Sequence, residues 1–133
     1  MLQIILSDSI KGASCIKGAA FGTSTRDVRD VDSESQGAIV QEALERIEEL
    51  EDQGLIDPTA NLSDRAVIIY SGTKDTWFVP HNQYAQKEVF DNFMGASDFL
   101  ESVERNEGGN MKNKDTYESL KYIYDTLGYT TGD

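Results

Sequence analysis

Cysteine and histidine each occur once in the sequence, which restricts the chemistry that its side chains can supply. The single cysteine, Cys15, excludes an internal disulfide framework. Because Cys15 lies in an apolar run, we expect a small core residue rather than a nucleophile. The single histidine, His81, lies six residues after Asp75.

Basic residues are also scarce: 12 lysines and arginines stand against 24 aspartates and glutamates, which gives a net charge of −12. Such a surface repels nucleic acid and anionic membranes, so we expect neither as a partner. No run of 18 apolar residues is present, and the sequence therefore predicts no membrane-spanning helix. The length of 133 residues favours one domain, residues 1–133.

One apolar stretch, Ala66–Tyr70, organises the rest of the chain. Its length and its three β-branched residues predict a strand buried on both faces, as in a parallel sheet. Ser71-Gly72-Thr73 then predicts a turn, and Asp75 follows at the end of the sheet where α/β proteins place working residues. A carboxylate there can orient a histidine, or it can cap the turn or the next helix, and spacing alone favours the cap.

Helical periodicity flanks this strand on both sides. An apolar stripe predicts a helix over Ser33–Gln53, with Ser33 or Ser35 capping its start and Gly54 ending it. A similar pattern predicts a helix over Asn82–Phe93. The remaining predicted elements are the last turns of a helix at Leu2–Leu6, a strand within Ile10–Phe21, and a short helix that begins at Ser97 or Asp98 and carries Phe99, Leu100 and Val103.

The segment Thr23–Glu34 is polar and acidic. Asp30, Asp32 and Glu34 alternate in the manner of calcium ligands, but the glycine that an EF-hand loop requires is absent. We therefore favour a solvated loop over a metal site, and the sequence predicts no cofactor.

The segment Ser71-Gly72-Thr73-Lys74-Asp75-Thr76 resembles the acid-bearing segment of the secreted polyhydroxybutyrate depolymerases and related esterases, which are α/β-hydrolases with a Ser-Asp-His triad. Two further segments resemble that family in the right order. Leu6–Ala13 is similar to the turn after the nucleophile helix, and Tyr117–Leu127 is similar to the terminal helix. The resemblance implies that Asp75 is the acid of the triad. It also implies that His81 lies at the surface or at the start of a helix, and not at the place of the catalytic base. Spacing along the terminal helix predicts an apolar face of Leu120, Ile123, Tyr124 and Leu127.

The resemblance also defines what the chain lacks. No Gly-x-Ser-x-Gly elbow occurs, and the family pattern would place it before Met1; neither Ser7 nor Ser14 has the required setting. The family further implies a strand where the short helix is predicted, followed by a triad histidine near Gly108–Asn110, and no histidine stands there. Asn110 cannot replace it, because an amide does not exchange a proton usefully.

We therefore expect an α/β fold with about three parallel strands flanked by helices, a partial α/β-hydrolase. The resemblance implies a fragment or an inactive descendant of a serine esterase that hydrolyses polyhydroxybutyrate or other carboxylic esters, and the chain alone should be inactive. An ester or polyester would then be the substrate of the full-length enzyme. The exposed edge of such a partial sheet would favour self-association.

A second interpretation stays open from the residues themselves. An acidic α/β domain without a complete triad also fits a non-enzymatic binding or scaffold protein, in which Asp75 is incidental. The compartment is open too, because the related esterases are secreted whereas Met1–Leu6 lacks the basic start and the length of a signal peptide.

Overall fold

A computed structural model describes residues 2–16, 20–21, 27–95, 99–106 and 113–129. Helices and strands alternate along the chain, and the three strands form one all-parallel sheet. This confirms the expected α/β fold with three parallel strands flanked by helices. The elements are α1 (Leu2–Ile5), β1 (Gly12–Ile16), α2 (Ser33–Asp52), a 3₁₀ helix (Thr59–Asp64), β2 (Ala66–Gly72), α3 (His81–Met94), β3 (Leu100–Arg105) and α4 (Asn113–Leu127).

The strand β2 lies at the centre of the sheet, in the order β1-β2-β3. Ala66–Tyr70 are all at most 5% exposed, which confirms the strand predicted to be buried on both faces. The predicted turn at Ser71 was placed too early. Ser71 and Gly72 still pair with Glu104 and Arg105 of β3, so the neighbouring strand holds the backbone extended for two more residues.

The segment after α3 is a strand, whereas the spacing of its own residues predicted a short helix. Leu100–Arg105 forms β3 instead of a short helix, because it pairs with β2 in parallel from Val67 to Gly72. A strand here is what the resemblance implied. Ser97 and Asp98, the predicted caps of the short helix, lie outside the described residues.

The two faces of the sheet are covered differently. Val67 and Ile69 point to the face covered by α2 and α3, where they join a core of buried side chains. That core includes Ile39, Ala43, Ile47, Ala85, Val89 and Phe90. The helix α4 packs on β1 and β2 from the opposite face. No helix within the described ranges is long and apolar enough to cross a membrane.

The helix α2 confirms the predicted extent within one residue, but its cap differs. Asp32 is the N-cap: its Oδ1 accepts the Ser35 backbone N–H at 2.9 Å, while Ser35 Oγ accepts the Asp32 N–H at 2.9 Å. This reciprocal pair satisfies two backbone donors at once. Gly54, with φ of +69°, ends the helix as predicted.

The face of α4 that meets the sheet differs from the predicted one. Leu120 and Tyr124 are 47% and 43% exposed, whereas Asp115 and Ser119 are buried. The predicted apolar stripe is therefore only partly used. Gly12 permits the close approach of α4 to β1, because a Cβ at this position would lie 2.5 Å from Ile123 Cγ2.

We predict that Gly12→Ala destabilises the fold by about 1–3 kcal/mol, because the added methyl group has no room beside Ile123. Gly37→Ala is the matched control. Nothing lies within 4 Å of a Cβ at this exposed helical position, so we expect it to stabilise the fold by about 0.5–1 kcal/mol. Urea unfolding measures both changes, and a shift of the same sign in the two variants would contradict the close packing of α4 on β1.

Candidate functional site

The carboxyl ends of β2 and β3 are tied together just before Asp75. The backbone N–H of Thr73 donates to the Arg105 carbonyl at 2.8 Å, and its hydroxyl donates to the same oxygen at 3.2 Å. The Asp75 N–H then donates to the Gly72 carbonyl at 3.1 Å. Asp75 is thereby fixed beyond the central strand, at the edge of the sheet where α/β proteins bind their ligands.

The carboxylate of Asp75 is 7% exposed and is held by its own loop. Its Oδ1 accepts the backbone N–H groups of Trp77 at 2.9 Å and Phe78 at 3.0 Å. This is the local cap that spacing alone favours. Across the described residues, Oδ2 accepts no hydrogen bond, so one oxygen remains for a further donor.

The only histidine is not brought to Asp75. His81 begins α3, in agreement with the expectation of a helix-start residue. Its Nδ1 lies 2.7 Å from Gln36 Oε1, and its ring contacts Tyr84 edge-on with 5.2 Å between the ring centres. Gln36 also donates from Nε2 to Glu88. The imidazole therefore connects α3 to α2 instead of completing a pair with Asp75.

Trp77 projects from the Asp75 loop and is 65% exposed. The guanidinium of Arg29 lies over its ring, with Cζ 5.2 Å from the ring centre. Asp27 holds that guanidinium by Nε to Oδ1 at 3.0 Å and Nη2 to Oδ2 at 2.7 Å. These hydrogen bonds from Arg29 lower the pKa of Asp27 to about 2.

A charged cluster joins the end of β3 to α4. Arg105 donates from Nε to Asp115 Oδ1 at 3.0 Å and from Nη2 to Glu118, and its Cζ lies 5.9 Å from the ring centre of Tyr70. The Tyr70 hydroxyl is buried with no partner in the described part of the chain. Its pKa is raised, mainly because burial disfavours the phenolate and then because Glu118 repels it.

A second contact across the sheet edge links α3 to β3. The Tyr84 hydroxyl donates to Glu104 Oε1 at 2.5 Å. This hydrogen bond to a carboxylate, together with burial, raises the pKa of Tyr84 to about 12. Sequence reasoning missed both this pair and the Arg105 cluster, because their members lie many residues apart and carry no spacing signal.

Asp30, Asp32 and Glu34, the alternating acidic residues considered as calcium ligands, are not gathered into a metal site in the described structure. Asp32 caps α2, and no group of three or more metal-ligating side chains is found among the described residues. Gly108–Asn110, where the family histidine would stand, lies outside those residues.

Comparison with family models, with curated proteins and with solved structures finds no match.

We predict that the acceptor oxygen of Asp75 stabilises the loop. Asp75→Ala should lower the free energy of unfolding by about 1–2 kcal/mol, because two partly buried N–H groups lose their partner. Asp75→Asn keeps a side-chain oxygen and should retain most of that stability. Urea unfolding tests this with Lys74→Ala, at an exposed neighbour, as the control within about 0.5 kcal/mol of wild type. Equal losses for Ala and Asn would refute the capping role.

We also predict an alkaline effect from Tyr84. Its pKa rises from 10.0 to about 12 on folding, so the unfolded chain loses this proton first. The stabilisation is therefore complete below pH 10 and is lost as the pH approaches 12. Urea midpoints should fall less steeply across this window for Tyr84→Phe than for wild type. Tyr117→Phe, at a position 68% exposed, should follow the wild type; identical slopes for all three proteins would exclude the effect.

Proposed function

We propose that this chain derives from a depolymerase-like serine esterase, as its C-terminal portion or as an inactive descendant. The reaction of such enzymes is hydrolysis of a carboxylic ester through an acyl-serine intermediate, with polyhydroxybutyrate or another ester as substrate. In this proposal the chain supplies the acid, Asp75, and does not catalyse the reaction by itself.

The observation that carries the proposal is the geometry of Asp75. A triad acid must hold a histidine in one orientation, which requires a carboxylate that is itself fixed. Two backbone N–H groups fix Oδ1, while Oδ2 has no hydrogen-bond partner among the described residues. The carboxylate also lies just past the central parallel strand, at the edge where the partners of such a site would meet.

The order of elements supports the same ancestry. A helix ends before β1, α2 leads to the acid-bearing strand β2, and β3 and α4 follow. This is the succession that the resemblance implies, including the strand that replaces the predicted short helix. The strand β1 is an edge of the sheet in the described structure, and the missing nucleophile strand would be its neighbour.

Two working groups of a triad are missing from the chain. Ser7 is fully buried, and its hydroxyl donates to the Pro58 carbonyl at 3.1 Å, so it is not a presented nucleophile. Ser14 lies within β1 and not on a strand-to-helix turn. His81 is engaged with Gln36. Loss of the serine or the histidine removes most of the acceleration that a triad gives.

One observation favours the alternative, a non-enzymatic acidic α/β binding or scaffold protein. The Asp75 cap satisfies two N–H groups and needs no catalytic explanation, since aspartate commonly closes turns in this way. The two functions differ in what precedes β1. The C-terminal portion of an active esterase requires a Gly-x-Ser-x-Gly strand and helix there, whereas an inactive descendant or a scaffold protein does not.

We predict that the chain does not hydrolyse p-nitrophenyl butyrate above the buffer rate, because it has no elbow serine and its histidine pairs with Gln36 instead of Asp75. Asp75→Ala should leave this rate unchanged. Turnover that survives Asp75→Ala would show that the proposed site is the wrong one.

The coding DNA upstream of Met1 tests whether the chain is the C-terminal portion of a longer esterase. Gly-x-Ser-x-Gly in frame, followed by a helix that continues into Leu2–Ile5, would support the esterase origin. An upstream reading frame that closes without this motif would favour the inactive descendant or the scaffold protein. Labelling of the present chain by a fluorophosphonate would contradict the absence of an activated serine.

A further inference from the structure

The Asp75 loop presents an indole to solvent in a fixed position. Trp77 is 65% exposed, although burial of so large an aromatic ring is normally favourable. Its backbone N–H is nevertheless held by Asp75 Oδ1 at 2.9 Å. The exposure is therefore a property of an anchored loop, and the ring is ready to contact a partner without a large loss of backbone entropy.

One face of this indole already carries a guanidinium. Arg29 Cζ lies 5.2 Å from the ring centre, and Asp27 orients Arg29 through two hydrogen bonds. The geometry demonstrates that the ring accepts a planar cation, an attraction that the ring quadrupole provides. With Arg29 in place, Trp77 is still 65% exposed in the described structure, so part of the ring surface, called here its open face, is available for a second contact.

The charges around Trp77 favour a cation over other ligands. Asp27 and Asp30 both interact with Arg29, and these three charged groups together carry a net charge of −1. Asp30 is exposed and close enough to Arg29 to interact electrostatically. The whole chain carries −12, which repels an anionic ligand and speeds the approach of a basic one.

We propose that Trp77, Arg29, Asp27 and Asp30, together called the Trp77 surface, bind an arginine-bearing basic segment of a partner protein. An arginine of that segment stacks on the open face of the indole, and neighbouring basic groups pair with Asp30. Arginine fits better than lysine because its planar guanidinium stacks on rings and pairs with carboxylates. This inference is independent of the proposed esterase origin, since it needs Asp75 only as the residue that positions Trp77.

The test is a titration of the full chain with the peptide Ac-(Arg-Gly)4-NH2. Trp77 is the only tryptophan, so its fluorescence reports on the surface directly. We expect a saturable change that weakens as NaCl is raised, because the contact is largely electrostatic. Ac-(Lys-Gly)4-NH2 should bind more weakly, and Ac-(Glu-Gly)4-NH2 should not bind.

Calorimetry with variants distinguishes binding at the Trp77 surface from attraction by the net charge of the whole chain. Trp77→Leu should weaken arginine-peptide binding about tenfold, and Trp77→Phe should lose less because phenylalanine keeps a π face. Asp30→Asn should weaken binding about threefold. Glu48→Gln, which removes one exposed carboxylate roughly 24 Å along α2 from Asp32, should have little effect.

Several outcomes would overturn the proposal. Equal binding by Trp77→Leu, or an equal loss in Asp30→Asn and Glu48→Gln, would assign the binding to net charge alone. Absence of saturable binding at low salt would exclude a basic peptide as the ligand. Adsorption to a polyhydroxybutyrate film that requires Trp77, without peptide binding, would assign the surface to a polyester instead. Circular dichroism confirms that each variant is folded before its binding is compared.

Discussion

The parallel pairing of β2 with a strand on each side is the constraint on which the rest of the structure depends. It places Ala66–Ser71 at the centre of the sheet, where helices cover both faces and these residues are buried. Full burial of each Val or Ile side chain contributes about 1.5–3 kcal/mol, so this strand cannot shift register without losing several such terms. Since β2 is fixed, the turn after it is fixed, and Asp75 inherits a defined position at the carboxyl edge of the sheet.

The two faces of the sheet are stabilised by different forces. Toward α2 and α3 the contacts are apolar, around Val67 and Ile69. Toward α4, Arg105 lies over Tyr70 and pairs with Asp115 and Glu118. Partly buried ion pairs add little net stability, but they are directional and penalise a wrong orientation. The charged cluster therefore orients α4 together with the close packing of Ile123 against Gly12, while Leu120 and Tyr124 stay exposed.

Sequence patterns correctly predicted the elements that neighbouring residues along the chain determine. The apolar run Ala66–Tyr70, the periodicity of α2 and the stop at Gly54 depend on neighbouring residues only. The predictions were wrong where contacts with residues far along the chain determine the secondary structure. Leu100–Arg105 has helical spacing but becomes a strand because β2 offers backbone partners. Within the candidate site, the position of Asp75 just past β2 was predictable from sequence. The contact of Arg29 with Trp77 was not, because 48 residues separate the two and no motif links them.

Under the proposed ancestry, the Asp75 cap explains how the acid persists after the other two triad residues are lost. The serine and the histidine of a triad serve the reaction, so their loss removes activity without a necessary loss of the fold. Asp75 differs, because its Oδ1 also satisfies two N–H groups of the loop, and removal of that acceptor costs stability whether or not a reaction takes place. Under the proposed ancestry, selection for folding alone retains the acid. The stability of the loop is therefore sufficient to explain the presence of Asp75. The same oxygen holds the backbone of Trp77, and this exposed residue can acquire a new binding function.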